Sequence, residues 1–291
     1  MGGLILEPRV LHWLEGLRLS PRKKFGGSVR GERVTQAKGI SIEFADYREY
    51  AEGDDLRHLD WNILARLGHA VTKTYRDEED LAVHILLDAS ASMDFGSPTK
   101  LESASQIAAA IGYVALTGGD TVYPRWLSGP ALSVRGLRGR ASYPRLSAWA
   151  QTAAPTGTKS LDLELRSFAS SSARTGVVVI VTDALQNGLV SALRAVSARR
   201  HEIWLIQVLS AVELDPDLEG DLRLLDAETS GTAEVTINSF TLKEYRRNLE
   251  VHNRALFEEC QRSGGRYALV QAGTPLDQIV KNVWKRERWV E

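Results

Sequence analysis

One cysteine, Cys260, in 291 residues removes any internal disulfide and any all-cysteine zinc site, and such sparing use is that of a chain kept in a reducing compartment. The six histidines are scattered and none falls in an H-E-x-x-H spacing, so zinc is not expected. No window approaches the ~20 consecutive apolar residues of a membrane helix. The apolar start, Met1 to Leu6, is broken by Glu7 and Pro8 and is too short for a signal peptide. A cytoplasmic protein without a membrane span is the expectation. A formal charge of -1 gives no broad basic field of the kind that draws nucleic acid or anionic lipid. The strings G-x-x-x-x-G-K-[ST] and G-x-S-x-G, for a phosphate loop and a nucleophile elbow, are both missing.

What charge there is falls unevenly. Residues 1–40 hold eight Lys/Arg against three acids, with Arg22-Lys23-Lys24, Arg30 and Arg33 at the centre, whereas residues 41–80 hold eleven acids against five bases. Apolar residues at helical spacing from Val10 to Leu17 predict a helix over 9–19 that Ser20-Pro21 ends. Residues 21–80 read as mostly irregular, with a strand at 70–76. From residue 81 the pattern becomes regular. Predominantly apolar runs at 81–87 and 176–182, with a further strand at 202–209, read as strands buried on both faces, and their alternation with helical segments implies a parallel sheet. Ser97-Pro98 reads as the N-cap and first-turn proline of a helix running to Gly118. Segments 120–127 and 131–135 read as a hairpin, 142–152, 160–173 and 188–200 as helices, and 221–237 as a small inserted hairpin turning at Ser230-Gly231. A helix over 241–262, a strand at 266–270 and a helix from Pro275 complete the chain. The fold class expected is α/β: a six-stranded, mostly parallel sheet with helices on both faces, at 79–291, preceded by a smaller N-terminal subdomain at 1–78.

In open α/β sheets ligands lie beyond the carboxyl ends of strands where strand order reverses. Asp88 and Asp183 both end predicted strands, and 81–88 is expected beside 176–183. Ser90 and Ser92 follow Asp88 at intervals of two, which in extended chain turns all three side chains the same way. Hydroxyls and carboxylates suit a hard cation, Mg²⁺ or Mn²⁺, whose octahedral oxygen shell usually includes only one or two carboxylates. This donor set leaves a position that a partner's Asp or Glu would fill.

The stretch Asp88-Ala89-Ser90-Ala91-Ser92-Met93 resembles the first motif of the metal-ion-dependent adhesion site of von Willebrand factor A domains. In that family a threonine from a later loop and an aspartate after the following strand complete the site, and Thr158 and Asp183 match those positions in order. Upstream, Glu43-Phe44, Arg48-Glu49-Tyr50 and Gly53 to Trp61 are similar to the signature of the bacterial family called domain of unknown function 58. The resemblance spans residues from about 25 to the C-terminus. It implies a von Willebrand factor A-like, Rossmann-like sheet, a metal held by Asp88, Ser90, Ser92, Thr158 and Asp183, and a cytoplasmic module working with a MoxR-type AAA+ ATPase in maturing or remodelling other proteins. Many members carry two transmembrane helices that this sequence lacks.

The function expected is therefore metal-dependent protein binding, not catalysis. Two alternatives stand beside it. One is an unrecognised metal-dependent hydrolase or phosphotransferase, although the place two residues after Asp88, where aspartate-dependent phosphatases carry a second acid, is Ser90. The other is nucleic-acid binding through the basic N-terminal segment, which has few aromatics to stack bases. At single residues, Thr158 could equally cap the helix before Leu161 and Asp183 the helix near 188. Arg57 and Arg66 are expected to pair with Asp54, Asp55 or Asp60, and Tyr50 and Trp61 to pack rather than contact a partner.

Overall fold

The computed structural model describes residues 5–25, 43–51, 54, 56–76, 80–127, 135–156, 160–225 and 231–291. The chain divides into two compact units, Gly26–Asp80 and the combination of Met1–Phe25 with Leu81–Glu291. In the smaller unit, β1 (Glu43–Glu49) pairs antiparallel with β2 (Val71–Arg76), and α2 (Trp61–Leu67) lies between them in sequence. Sequence reading anticipates β2 but treats the rest as irregular. The helix nevertheless has clear ends: Asp60 accepts from the Asn62 and Ile63 N–H groups, and Gly68 closes it in the left-handed conformation at φ 70°.

The larger unit begins with α1 (Pro8–Leu14), shorter than the expected 9–19. Its remaining elements are β3 (Ala82–Asp88), α3 (Lys100–Gly118), β4 (Thr121–Leu127), β5 (Leu137–Arg138), α4 (Tyr143–Gln151), α5 (Leu161–Ser170), β6 (Val177–Thr182), α6 (Leu189–Ala198), β7 (Glu202–Leu209), α7 (Ala211–Leu214), β8 (Gly220–Leu225), β9 (Thr232–Ile237), α8 (Ser239–Arg262), β10 (Arg266–Gln271) and α9 (Leu276–Ile279). Six strands form the central sheet in the order β10-β7-β6-β3-β4-β5, all parallel except β5. β8 and β9 make the separate small hairpin expected near 221–237, and its turn at Ser230 lies outside the described residues.

Every residue of β3, β6 and β7 is buried, which is why their sequences are mostly apolar; the polar His84, Glu202 and Gln207 within them are each hydrogen-bonded within the fold. Alternate side chains serve opposite faces. Val83, Ile85 and Leu87 pack with Ile107, Ile111 and Leu146 of α3 and α4, while Leu86, Val178 and Ile180 pack with Leu165 of α5, Leu193 of α6 and Leu256 of α8. The sheet is covered on both faces, a Rossmann-like α/β arrangement.

Three details differ from the sequence reading. The N-cap of α3 is Thr99 rather than Ser97, because Thr99 and Glu102 form a reciprocal capping box. The antiparallel partner of β4 is 137–138; the 131–134 part of the expected strand lies outside the described residues, and Arg135 is in no strand. The expectation is one division, between 78 and 79, whereas the compact units part at two places, after Phe25 and after Asp80. Residues 5–25 group with the sheet because Leu11, Leu14 and Leu17 enter its core, and Arg18 and Glu291 exchange two backbone hydrogen bonds that zip this segment to the chain's end.

Candidate metal centre at the strand switch point

Numbered within the sheet by chain order, the six strands run 6-5-4-1-2-3, so the order reverses between β3 and β6. This is where an open α/β sheet leaves a crevice at its carboxyl edge. Asp88 ends β3, and Thr182 and Asp183 end and follow β6, so the crevice opens between the two predicted carboxylates.

Asp88 is 1% exposed. Its Oδ1 accepts from the Ser90 N–H at 2.9 Å and its Oδ2 from the Thr182 hydroxyl at 2.6 Å. Burial, and next the charge of Asp183, push its carboxyl up to about 6; the Thr182 and Ser90 hydrogen bonds act the other way. Among the described residues no basic side chain forms an ion pair with Asp88. The Ser90 and Ser92 hydroxyls lie 3.1 Å apart, although the chain does not stay extended here as expected but turns into a short 3-10 helix over Ala91–Asp94. Thr158 lies outside the described residues.

Asp183 is held from several sides. Its Oδ2 accepts from Lys100 Nζ at 2.8 Å, its carbonyl accepts from Gln207 Nε2 at 3.0 Å, and its Oδ1 faces the Leu185 N–H at 3.5 Å. Ala184 next to it has φ 55°, an uncommon conformation for a residue with a Cβ. The surroundings enforce it: the Ala184 N–H donates to Thr182 Oγ1 at 3.0 Å, and the Ala184 carbonyl oxygen lies 2.6 Å from His252 Nε2 on α8. Asp183 does not cap α6, whose N-cap position is Gly188; its carboxylate pairs with Lys100, and its charge acts on Asp88.

Lys100 carries no signal of its own in the sequence. Its ammonium is buried and also reaches Glu213 Oε1 of α7 at 2.6 Å, and Glu213 in turn caps α7 through Ser210. Gly96 lets the preceding loop approach: at φ 99°, a Cβ there would stand 3.1 Å from Ser210 Cβ. Among the described residues no group of three or more His, Cys, Asp or Glu side chains is arranged to hold a metal. A cation here would depend on the Ser90 and Ser92 hydroxyls together with Asp88. That oxygen-only set fits a hard divalent ion and not zinc.

The other predicted residues have structural uses. Arg22 Nη1 donates to the Gly265 carbonyl at 3.0 Å, the Lys23 N–H to Glu202 at 2.7 Å and Lys23 Nζ to the His201 carbonyl at 2.8 Å, so these two members of the basic run fasten the N-terminal segment to the sheet unit. Arg30 and Arg33 lie outside the described residues. Asp54 pairs with Arg48 at 2.6 Å, and Trp61, expected to pack, is 59% exposed.

Fold and crevice define a Rossmann-like α/β protein with an oxygen-lined site at its switch point. The family model described as "Protein of unknown function DUF58" matches residues 46–255, and the chain belongs to that family. It is 30% identical over 258 residues to the uncharacterized proteins Mb1516 of Mycobacterium bovis and Rv1480 of Mycobacterium tuberculosis, covering 86% of this chain and 81% of each relative. Two solved structures are similar at low identity. Conserved hypothetical protein BatB from Bacteroides thetaiotaomicron has a TM-score of 0.43 at 16% identity, over 72% of this chain and 98% of that one. An aerotolerance-related membrane protein from Bacteroides fragilis has a TM-score of 0.45 at 17% identity, over 71% and 99%. Among the described residues no helix is long and apolar enough to cross a membrane.

Proposed function

We propose that the chain is a metal-dependent protein-interaction module that works with a MoxR-type AAA+ ATPase in maturing or remodelling other proteins. The observation that carries the metal is Asp88. It is a buried carboxylate at the strand switch point, beside two serine hydroxyls and a second carboxylate, and among the described residues it has no basic partner. A buried charge without a counter-ion is costly, and a divalent cation would supply one. The resemblance to von Willebrand factor A domains supports the same reading, and the ATPase partner rests on the family resemblance.

Asp88, Ser90 and Ser92 would hold Mg²⁺ or Mn²⁺, with Asp183 adding charge nearby and Thr158 as a further hydroxyl. Bound there, the ion would act as a Lewis acid that accepts a carboxylate from a partner protein. The chain's own residues orient the donors. Thr182 and the Ser90 N–H fix the Asp88 carboxylate, and the 3.1 Å contact between Ser90 and Ser92 keeps their oxygens adjacent. Against nucleic-acid binding, Arg22 and Lys23 are already committed within the fold.

The test is retention of a purified MoxR-type ATPase from the same cell on immobilised protein. Retention is expected in Mg²⁺, and its loss is expected in EDTA, in Asp88→Asn and in Ser90→Ala. Equal retention in all four conditions would remove the metal from the mechanism, and no retention in any would remove this partner.

A further inference from the structure

Resting on the metal reading above, we infer that Lys100 is a resident cation of the site: its ammonium supplies positive charge beside Asp183, sets how strongly a divalent ion binds and ties the site to α7.

Lys100 is the first residue of α3, where the positive end of the helix dipole and near-complete burial both disfavour an ammonium. It is kept there by two carboxylates that arrive from distant parts of the chain, Asp183 at 2.8 Å after β6 and Glu213 at 2.6 Å in α7. The Phe95 ring, with its centroid 6.0 Å from Nζ, closes another side. The ammonium meets two carboxylates, and with Asp88, which feels the charge of Asp183, the set of three carboxylates and one ammonium leaves two formal negative charges, which a divalent ion matches.

The division of contacts is uneven in a way that matters for the ion. Lys100 serves Asp183 and Glu213 and forms no ion pair with Asp88. The serine hydroxyls and Asp88 are left for the metal, while the lysine, paired with Asp183 and not with Asp88, opposes a cation there by its charge. Glu213 Oε2, opposite the oxygen that takes Lys100, accepts from the Ser210 N–H and hydroxyl, both at 2.8 Å, and the Glu213 carbonyl accepts from Tyr245 of α8 at 2.7 Å. A change in the charge balance at Lys100 therefore acts on α7 and on the start of α8 as well as on the crevice.

The sign of two substitutions tests this. Coulomb's law gives about a tenfold effect for a unit charge about 6 Å from a divalent ion even at the dielectric constant of water. Lys100→Met, which keeps the apolar stem, is expected to tighten Mn²⁺ binding to the full chain by about tenfold. Glu213→Gln, which leaves the lysine less neutralised, is expected to weaken it by about threefold or more. Titration calorimetry with Mn²⁺ alone reads both, and circular dichroism reports folding. Wild-type binding with unchanged or weaker binding in Lys100→Met overturns the role of Lys100 and leaves the metal site standing. Binding in Lys100→Met but not in wild type supports the resident cation while removing the metal from the native function. No Mn²⁺ binding in any of the three overturns the site itself. If Lys100→Met fails to fold, Glu213→Gln decides: weaker binding supports the inference and unchanged binding overturns it.

Discussion

The Thr182 hydroxyl donates to Asp88 Oδ2 at 2.6 Å, joining the carboxyl ends of β3 and β6 where the strand order reverses. Thr182 Oγ1 also accepts the Ala184 N–H at 3.0 Å, so one buried side chain both orients the candidate metal ligand and holds the loop that carries Asp183. Thr182→Val keeps the shape and removes both bonds. Its cost should be about 2–3 kcal/mol, since buried polar groups lose their partners, while Thr182→Ser should stay close to wild type. Calorimetric melting of the three proteins checks this. A valine variant as stable as the serine variant would contradict the assignment.

A second prediction concerns pH. His84 stands in β3 with its Nε2 2.7 Å from the Arg174 carbonyl oxygen, and burial, aided by the charges of His201 and Arg174, lowers its pKa to about 4. A folded-state pKa below the unfolded value means that the unfolded chain takes up the proton first. The resulting stability is fully present above pH 6.5 and is lost as pH falls towards 4, up to about 3 kcal/mol. His84→Gln keeps an N–H donor and does not titrate. Its melting temperature should fall less between pH 7 and pH 5 than that of wild type, and parallel curves would refute the account.

Glu202, at the start of β7, anchors the N-terminal segment. It is fully buried and accepts from the Lys23 N–H and Trp204 Nε1, both at 2.7 Å, and Arg266 Nε lies 3.6 Å away. Glu202→Gln leaves the guanidinium of Arg266 without its charge partner and should cost about 3 kcal/mol. Limited trypsin digestion at Arg22, Lys23 and Lys24 should accelerate in the variant. Unchanged cleavage there would mean that Glu202 does not hold the segment.

How far the sequence alone could lead depends on the range of each interaction. β3, β6 and β7 are legible because strands buried on both faces are apolar at most positions, and Asp88 and Asp183 follow from the ends of the first two runs. The smaller unit is harder to read because its hairpin strands, 43–49 and 71–76, are short and polar and are separated by more than twenty residues. Its helix carried a readable signal nonetheless, with Asp60 before Trp61 and Gly68 after Leu67. Lys100 was hidden for a different reason. A lysine in the first turn of a helix reads as a solvent-facing residue, and its burial depends on Asp183 and Glu213, 83 and 113 positions away. Thr182 likewise reads as the last residue of a strand until the neighbouring strand supplies Asp88.

The most direct measurement of the central claim is thermal unfolding of wild type and Asp88→Asn in EDTA and in 10 mM Mg²⁺. Asparagine is the useful replacement because it keeps one of the two oxygens with which Asp88 accepts hydrogen bonds, whereas alanine would add the loss of both bonds to the loss of charge. If the site binds with a Kd on the order of 1 mM, 10 mM Mg²⁺ adds RT ln(11), about 1.4 kcal/mol, or roughly 2–4 °C for a chain of this size. The account predicts that rise in wild type and its absence in Asp88→Asn. The same melting temperature for wild type with and without Mg²⁺, or an equal rise in the variant, would contradict it.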